Sequence, residues 1–318
     1  MAQTVCVTHR KDVDGLASAS ILMRIKSAKV VLSDYEEIVD QLRAIHNVKE
    51  LFVCDLGTNE KIFDEFLTEL SRIAITSHAT YVDHHPIKDE MLRKISKAGI
   101  EVIHSTEECT SILLYLKFKQ ELPKEAALLA AYGAVTDFRD SQPVARRIIE
   151  NHDRQFILLE ATMLSYAIAY KGRDTRFLME VVKSLAQMKY PHEINNVIRY
   201  SRLQASRITK LLRDISSLGK RMKNLAYMET DEAMTGNVAN FLTGAFDTPI
   251  GVAYRRKGGL VEVSLRGSES CRHDLGVVVA KVAGILGGSG GGHPKASGAY
   301  VPQDRLADFL KMLDDHLD

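Results

Sequence analysis

A chain of 318 residues that is 45% hydrophobic can bury a core in each of two domains, and its formal net charge of +1 argues against dedication to long duplex nucleic acid, whose binders carry a strong basic excess. The near-balance favours a small or short anionic substrate. The start, Met1-Ala2-Gln3-Thr4, runs straight into a strand-like stretch without a basic, apolar leader, and no apolar run approaches the roughly 18 residues of a membrane span, so a cytoplasmic protein is expected. Cys6, Cys54, Cys109 and Cys271 are too scattered for a C-x-x-C zinc site and are expected to be reduced and structural.

Short β-rich runs at 4–8, 29–33, 51–54, 80–82 and 101–103 alternate with helical patterns at 16–27, 36–45, 59–75 and from 110 or 111 onward. Strand-helix repetition of this kind predicts an α/β fold with a parallel sheet covered by helices on both faces. Residues 125–223 read as almost entirely helical, with Pro191 marking a helix start. Between Ile194 and Lys223, Arg199, Arg202, Arg207, Lys210, Arg213, Lys220, Arg221 and Lys223 face one acidic residue, Asp214. A solvated connector face is the favoured reading of this charge run, and a track for a nucleic-acid backbone is the alternative. The segment 250–255 and 260–265 reads as a β-hairpin, 275–286 as a helix, 287–292 as a loop and 305–317 as an amphipathic closing helix.

Chemistry-bearing residues collect where the β-runs end. His9, Asp12 and Asp14 follow the first run, Asp55 follows Leu51-Phe52-Val53-Cys54, and Asp83-His84-His85 follows Thr80-Tyr81-Val82. Asp137 ends the apolar run 126–136. Each acid alone is explained by capping or a turn, and Gly15 by a tight turn. Together they predict a polynuclear metal site at one sheet edge, because the carboxyl ends of parallel strands converge there. Carboxylates with a few imidazoles and no thiolate suit Mn²⁺ or Mg²⁺. In the last third, the glycine run ending in Gly290, Gly291, Gly292 and His293 is expected to bring backbone N–H groups against a phosphate, with Arg266 reaching the same anion.

With these motifs in order, the sequence resembles the DHH–DHHA1 phosphoesterase superfamily, which includes RecJ-like exonucleases, nanoRNases and cyclic di-AMP phosphodiesterases. The resemblance covers nearly the whole chain and implies a DHH catalytic domain at 1–190, a basic helical linker at 191–224 and a smaller α/β DHHA1 substrate-binding domain at 225–318. It implies that His9, Asp12 and Asp55 hold one divalent ion, that Asp14, Asp55, His84 and Asp137 hold a second, and that Asp55 bridges them. His85 would face the scissile phosphate, with Asp83 orienting its neighbours. His9 precedes Asp12 by three residues, where many relatives have two or four.

The expected activity is therefore that of a two-metal phosphodiesterase, Mn²⁺-dependent or alternatively Mg²⁺-dependent, acting on a dinucleotide or short oligonucleotide, linear or cyclic. Adenine dinucleotides such as cyclic di-AMP or pApA are the guess the family suggests. A RecJ-like single-strand exonuclease is the first alternative, followed by an inorganic pyrophosphatase and a non-catalytic nucleotide or RNA-binding module. Expected partners are the short nucleotide and, as alternatives, single-stranded nucleic acid and a second copy of the chain in a homodimer.

Overall fold

The computed structural model describes residues 3–231 and 235–316. The chain divides into two compact units, Met1–Ala205 and Ser206–Asp318. The first alternates β1 (Gln3–His9), α1 (Val13–Lys26), β2 (Lys29–Ser33), α2 (Ile38–Arg43), β3 (Val48–Cys54), α3 (Phe63–Ala74), β4 (His78–Asp83), α4 (Asp89–Lys97) and β5 (Glu101–His104). Helices α5 (Thr110–Phe118), α6 (Ala126–Thr136), α7 (Pro143–Glu150), α8 (Arg154–Lys171) and α9 (Thr175–Ala186) follow, and Pro191 opens a single 3₁₀ turn ahead of α10 (Val197–Leu218).

The five strands form one parallel sheet in the order β2-β1-β3-β4-β5. β1, β3 and β4 are central, and they are apolar along most of their length because both faces are covered, as parallel sheets require. α3 buries Phe63, Phe66, Leu70 and Ile73, a three-to-four-residue spacing that puts one apolar stripe on the sheet. With α2 and α4 it makes the core on one face, around Tyr81, Leu51 and Leu56. The opposite core is built on α1 and α6, whose small residues, such as Ala17, Ala19, Ala130 and Ala131, let the helices pack closely.

Chain order reverses between β1 and β3: the connection after β1 leads outward to β2, and the chain then returns to the other side of β1. Open α/β sheets bind ligands in the crevice beyond the strand ends at such a switch point.

The second unit comprises the C-terminal half of α10, β6 (Lys220–Arg221), β7 (Leu225–Glu229), α11 (Thr235–Phe246), β8 (Ile250–Lys257), β9 (Leu260–Gly267), α12 (Leu275–Ile285), β10 (Ser289–His293), β11 (Ala296–Pro302) and α13 (Leu306–Asp315). Its mixed sheet runs β10-β11-β9-β8-β7-β6. The expected hairpin is present with longer strands and a two-residue turn at Gly258-Gly259, where Gly258 has φ +63°. Val261, Val263 and Leu265 face a core with α12 and α13, while Ser264 on the other face bonds Thr235 of α11 at 2.6 Å.

Residues 289–293 are a strand, not part of the expected loop, and pair with β11 from Ser289↔Tyr300 to His293↔Ala296. The glycines serve close packing: a Cβ on Gly276 of α12 would come 2.4 Å from the Gly292 carbonyl oxygen, and one on Gly290 would come 2.8 Å from Val279. Composition alone cannot distinguish a flexible glycine run from a strand thinned to admit a helix. Arg266 likewise lies within β9 rather than beyond its end.

The same tolerance is tightest at Gly251, where a Cβ would stand 1.8 Å from the Ala239 carbonyl oxygen of α11. Gly251→Ala is expected to destabilise the second unit by roughly 1–3 kcal/mol, because backbone must move. Gly244→Ala, on the same helix with open space around it, is expected to stabilise by about 0.5–1 kcal/mol. Denaturant midpoints followed by circular dichroism check both, and equal effects would contradict this packing.

Candidate metal centre

Three neighbouring strand ends supply most of the site. β1 ends at His9, β3 is followed directly by Asp55, and β4 ends at Asp83 ahead of His84 and His85. Asp55 adopts a left-handed conformation, φ +58°, which aspartate tolerates better than most side chains, and its N–H donates to the Val82 carbonyl at 3.0 Å. It is not the cap of the following helix, which begins at Phe63. Asp137 arrives from a different kind of element: it caps the C-terminus of α6.

Two further carboxylates are set by helix starts. Asp12 is the N-cap of α1, accepting from the Gly15 N–H at 3.0 Å. Gly15 lies inside that helix rather than at a tight turn, and a Cβ there would come 2.3 Å from the His9 carbonyl oxygen. Asp14 is fully buried and accepts from the N–H groups of Thr110 and Ser111 at 2.8 and 2.9 Å, so it caps α5 across 96 residues of chain. Gly133 of α6 makes the room: a Cβ there would stand 2.5 Å from Asp14 Oδ1 and 2.3 Å from Ser111 Oγ.

Donor atoms gather in two main groups that share one residue. One atom from each of Asp14, Asp55, His84 and Asp137 lies within 4.8 Å of the others, and the same holds for His9, Asp12 and Asp55. His84 Nε2 is 3.3 Å from Asp55 Oδ1 and 3.2 Å from Asp137 Oδ2, while His9 Nδ1 is 2.5 Å from Asp12 Oδ2 and 3.7 Å from Asp55 Oδ2. His85 joins a third group with Asp55 and His84.

His85 is held from both ring nitrogens. Nδ1 lies 2.9 Å from Asp83 Oδ1 and Nε2 lies 3.0 Å from the Tyr35 hydroxyl. Asp83, fully buried, also accepts from the Tyr81 hydroxyl at 3.0 Å. Gly57 leaves space for the ring, since a Cβ there would meet His85 Cβ at 2.9 Å.

The electrostatics are those of a cation-shaped gap. Burial, then the charges of Asp12 and Asp14, push the Asp55 carboxyl up to about 6, and burial with Asp14, Asp12 and Asp55 drives Asp137 well above the carboxylate range. Burial opposes a charged His84, but the bond to Asp55 and the surrounding carboxylates outweigh it and raise the imidazole to about 9. His9 is raised well above its ordinary value by Asp12 in the same way, against burial. Both ring nitrogens of His9, Asp55 Oδ2 and His84 Nδ1 are buried without an aligned hydrogen bond. Oxygen and imidazole donors with unsatisfied buried atoms fit one or more hard divalent ions.

The structure thus brings all six sequence-proposed ligands and the Asp83–His85 pair to one sheet edge. Tyr35, Tyr81, Thr110, Ser111, Gly57 and Gly133 were not read from sequence. Nor was Asp34, which receives Lys11 at 2.5 Å and lies 3.9 Å from His9 Nε2. Its position directly after the run 29–33 is the signal that could have found it. In the second unit, Arg266 and His293 share a register row across β9, β11 and β10, with Ala296 between them, and so lie on one sheet face. The Arg266 guanidinium rests where a Cβ on Gly236, at the start of α11, would come 2.2 Å from Nη2, and burial pushes its pKa down.

Comparisons with known proteins agree with this layout. A family model described as the DHH family, N-terminal domain, matches residues 3–134, and one described as the DHHA1 domain matches residues 222–318; Asp137 lies just beyond the first. Over 99 residues the chain is 36% identical to an uncharacterized protein of Methanocaldococcus jannaschii, a match covering 30% of this chain and 22% of that one. RecJ of Thermus thermophilus in complex with Mn²⁺ is similar over 99% of this chain and 52% of its own, with a TM-score of 0.68 and 17% identity. A pGpG-specific phosphodiesterase, PggH of Vibrio cholerae, is similar over 98% of both chains, with a TM-score of 0.58 and 14% identity. At these identities the two solved structures share the fold.

Metal capture at this cluster requires ionised Asp55 and neutral His84. Apparent Mn²⁺ affinity is therefore expected to rise as pH increases from about 6 to about 9, with protons released on binding. Calorimetry in two buffers of different ionisation enthalpy checks this, and binding that is independent of pH would count against the assigned donors.

Proposed function

From the chain's membership of the DHH–DHHA1 phosphoesterase superfamily, we propose that it is a two-metal phosphodiesterase that hydrolyses dinucleotides or short oligonucleotides, linear or cyclic, to shorter products. The observation that carries this reading is Asp55, which belongs to both donor groups, one with His9 and Asp12 and the other with Asp14, His84 and Asp137, with Oδ2 nearer His9 and Oδ1 nearer His84. Two divalent ions, when bound, polarise the phosphoryl oxygens and lower the pKa of the attacking water. Mn²⁺ is favoured over Mg²⁺ because the donor set includes two imidazoles.

The chain's own groups supply position and proton control. His85, fixed between Asp83 and Tyr35, presents a ring that cannot swing, and Asp83 outweighs burial to raise its pKa. A phosphate oxygen that takes the place of the Tyr35 hydroxyl would receive a hydrogen bond from Nε2–H of the protonated ring, with Nδ1–H still held by Asp83. In the second unit, Arg266 and His293 are the groups that would hold a phosphate or nucleotide, on the sheet face that their register row shares. Arg266 has no carboxylate within ion-pair distance among the described residues, which suits a guanidinium reserved for an anion. The PggH neighbour acts on pGpG, which supports a dinucleotide as the substrate class.

A RecJ-like exonuclease is the second reading, favoured by the basic run along α10 that includes Arg199, Arg202, Arg207, Lys210 and Arg213. A Mn²⁺-supplemented panel containing pApA, pGpG, cyclic di-AMP, pAp, short RNA, single-stranded DNA and pyrophosphate separates the readings. Dinucleotide turnover with a shallow salt dependence is expected. Activity that climbs with strand length, with a salt slope growing by about 0.7 per phosphate contact, and that falls in Arg207→Ala or Lys210→Ala, would replace the proposal with the exonuclease. Absence of any metal-dependent turnover would leave a binding module.

Two substitutions test the division of roles. Asp55→Asn is expected to reduce Mn²⁺ stoichiometry and nearly abolish turnover, and near-normal activity with two ions bound would sink the bridging assignment. Arg266→Ala is expected to keep its metal while losing about one to two orders of magnitude in kcat/KM for a dinucleotide. Loss of metal in that variant would contradict it.

A further inference from the structure

Helix α6 ends in a Schellman arrangement: the N–H of Phe138 donates to the Val135 carbonyl at 3.3 Å and that of Arg139 to the Ala134 carbonyl at 2.7 Å. Phe138 occupies the left-handed position of this motif, φ +56°, which normally belongs to glycine. Among the described residues, the other non-glycine positions with positive φ are Ser27, Asn47, Asp55, Asn196 and Asp247, which are small and polar, and Met188, which packs against the core. Phe138 is both bulky and 77% exposed, so neither backbone preference nor burial accounts for it. Strained residues of this kind persist where a side chain is needed in one place.

That place adjoins the candidate metal centre. Asp137, directly before it, brings Oδ2 to 3.2 Å from His84 Nε2. Consecutive Cα atoms lie about 3.8 Å apart, so the exposed ring is carried on backbone that directly adjoins this carboxylate. We propose that Phe138 is a stacking platform for the base of the nucleotide whose phosphate is handled beside Asp137. This deepens the function proposed above and rests on it, and it restricts the substrate class to phosphoesters that bear a base, against pyrophosphate and sugar phosphates. Stacking on an aromatic face tolerates every base, because each has a π-surface, so the platform sets class rather than sequence.

The chain contains no tryptophan, so Phe138→Trp places a single indole fluorophore at the platform of the 318-residue chain. Saturable quenching by AMP and pApA is expected, with none from ribose 5-phosphate or pyrophosphate. Phe138→Gly is expected to raise Tm by about 2–4 °C as the strain is relieved. In the same variant the ratio of KM for pApA to KM for its abasic analogue should rise about five- to 150-fold, and Phe138→Tyr should restore it. Quenching by no base-bearing ligand, or an unchanged KM ratio in Phe138→Gly, overturns the proposal. So does a concentration-dependent blue shift that tracks dimer mass, which would assign the ring to a contact between copies. If the parent protein turns over no phosphodiester, the catalytic reading fails, while quenching by AMP still decides the platform.

Discussion

Everything around the switch point between β1 and β3 answers one electrostatic difficulty: Asp12, Asp14, Asp55 and Asp137 are crowded into a largely buried space. At an effective dielectric of about 20, two like charges 4 Å apart repel by roughly 4 kcal/mol, so four carboxylates cannot all stay ionised there unaided. The fold supplies partial relief. The first-turn amides of α5 reach Asp14, the Gly15 amide of α1 reaches Asp12, and His9 and His84 stand among the acids. What is left over is carried as raised pKa values on Asp55 and Asp137 and as donor atoms without partners. A divalent cation is the natural completion of such a set.

The same difficulty explains the glycines near the site. Gly15, Gly57 and Gly133 each stand where a methyl group would press on His9, His85 or Asp14. Their purpose is clearance rather than unusual dihedral angles, since none of the three has positive φ. α6 illustrates the economy of the arrangement: within five residues it presents Gly133, which admits one carboxylate, and Asp137, which contributes another.

The strand ends were legible in sequence because a β-run that closes in Asp or His is a local pattern, and three such runs converge by the rules of parallel sheets. His9, Asp55 and the Asp83–His85 triplet are read this way. Thr110, Ser111 and Gly133 were not, because their roles exist only once helices 96 and more residues distant have docked on Asp14. The strand at 289–293 resembles a loop in sequence for a related reason. Glycine marks both freedom and closeness, and only the helix lying against β10 shows which is meant. Phe138 carried no local signal at all, since an exposed aromatic becomes informative only with its backbone angle.

Asp14 has an evolutionary consequence that its neighbours lack. By capping α5 from the first turn of α1, it adds a buried polar tie between two helices that also share an apolar core, so its loss would cost conformational stability as well as a donor of the candidate metal centre. His84 and Asp137 have no such second duty: among the described residues, neither side chain is bonded to a distant helix outside the cluster. A descendant released from selection for turnover would therefore erode unevenly. It could drift at His84 and Asp137 with little penalty while retaining Asp14 as a fold determinant, and a partial set of ligands in such a protein would record relaxed selection rather than a different chemistry.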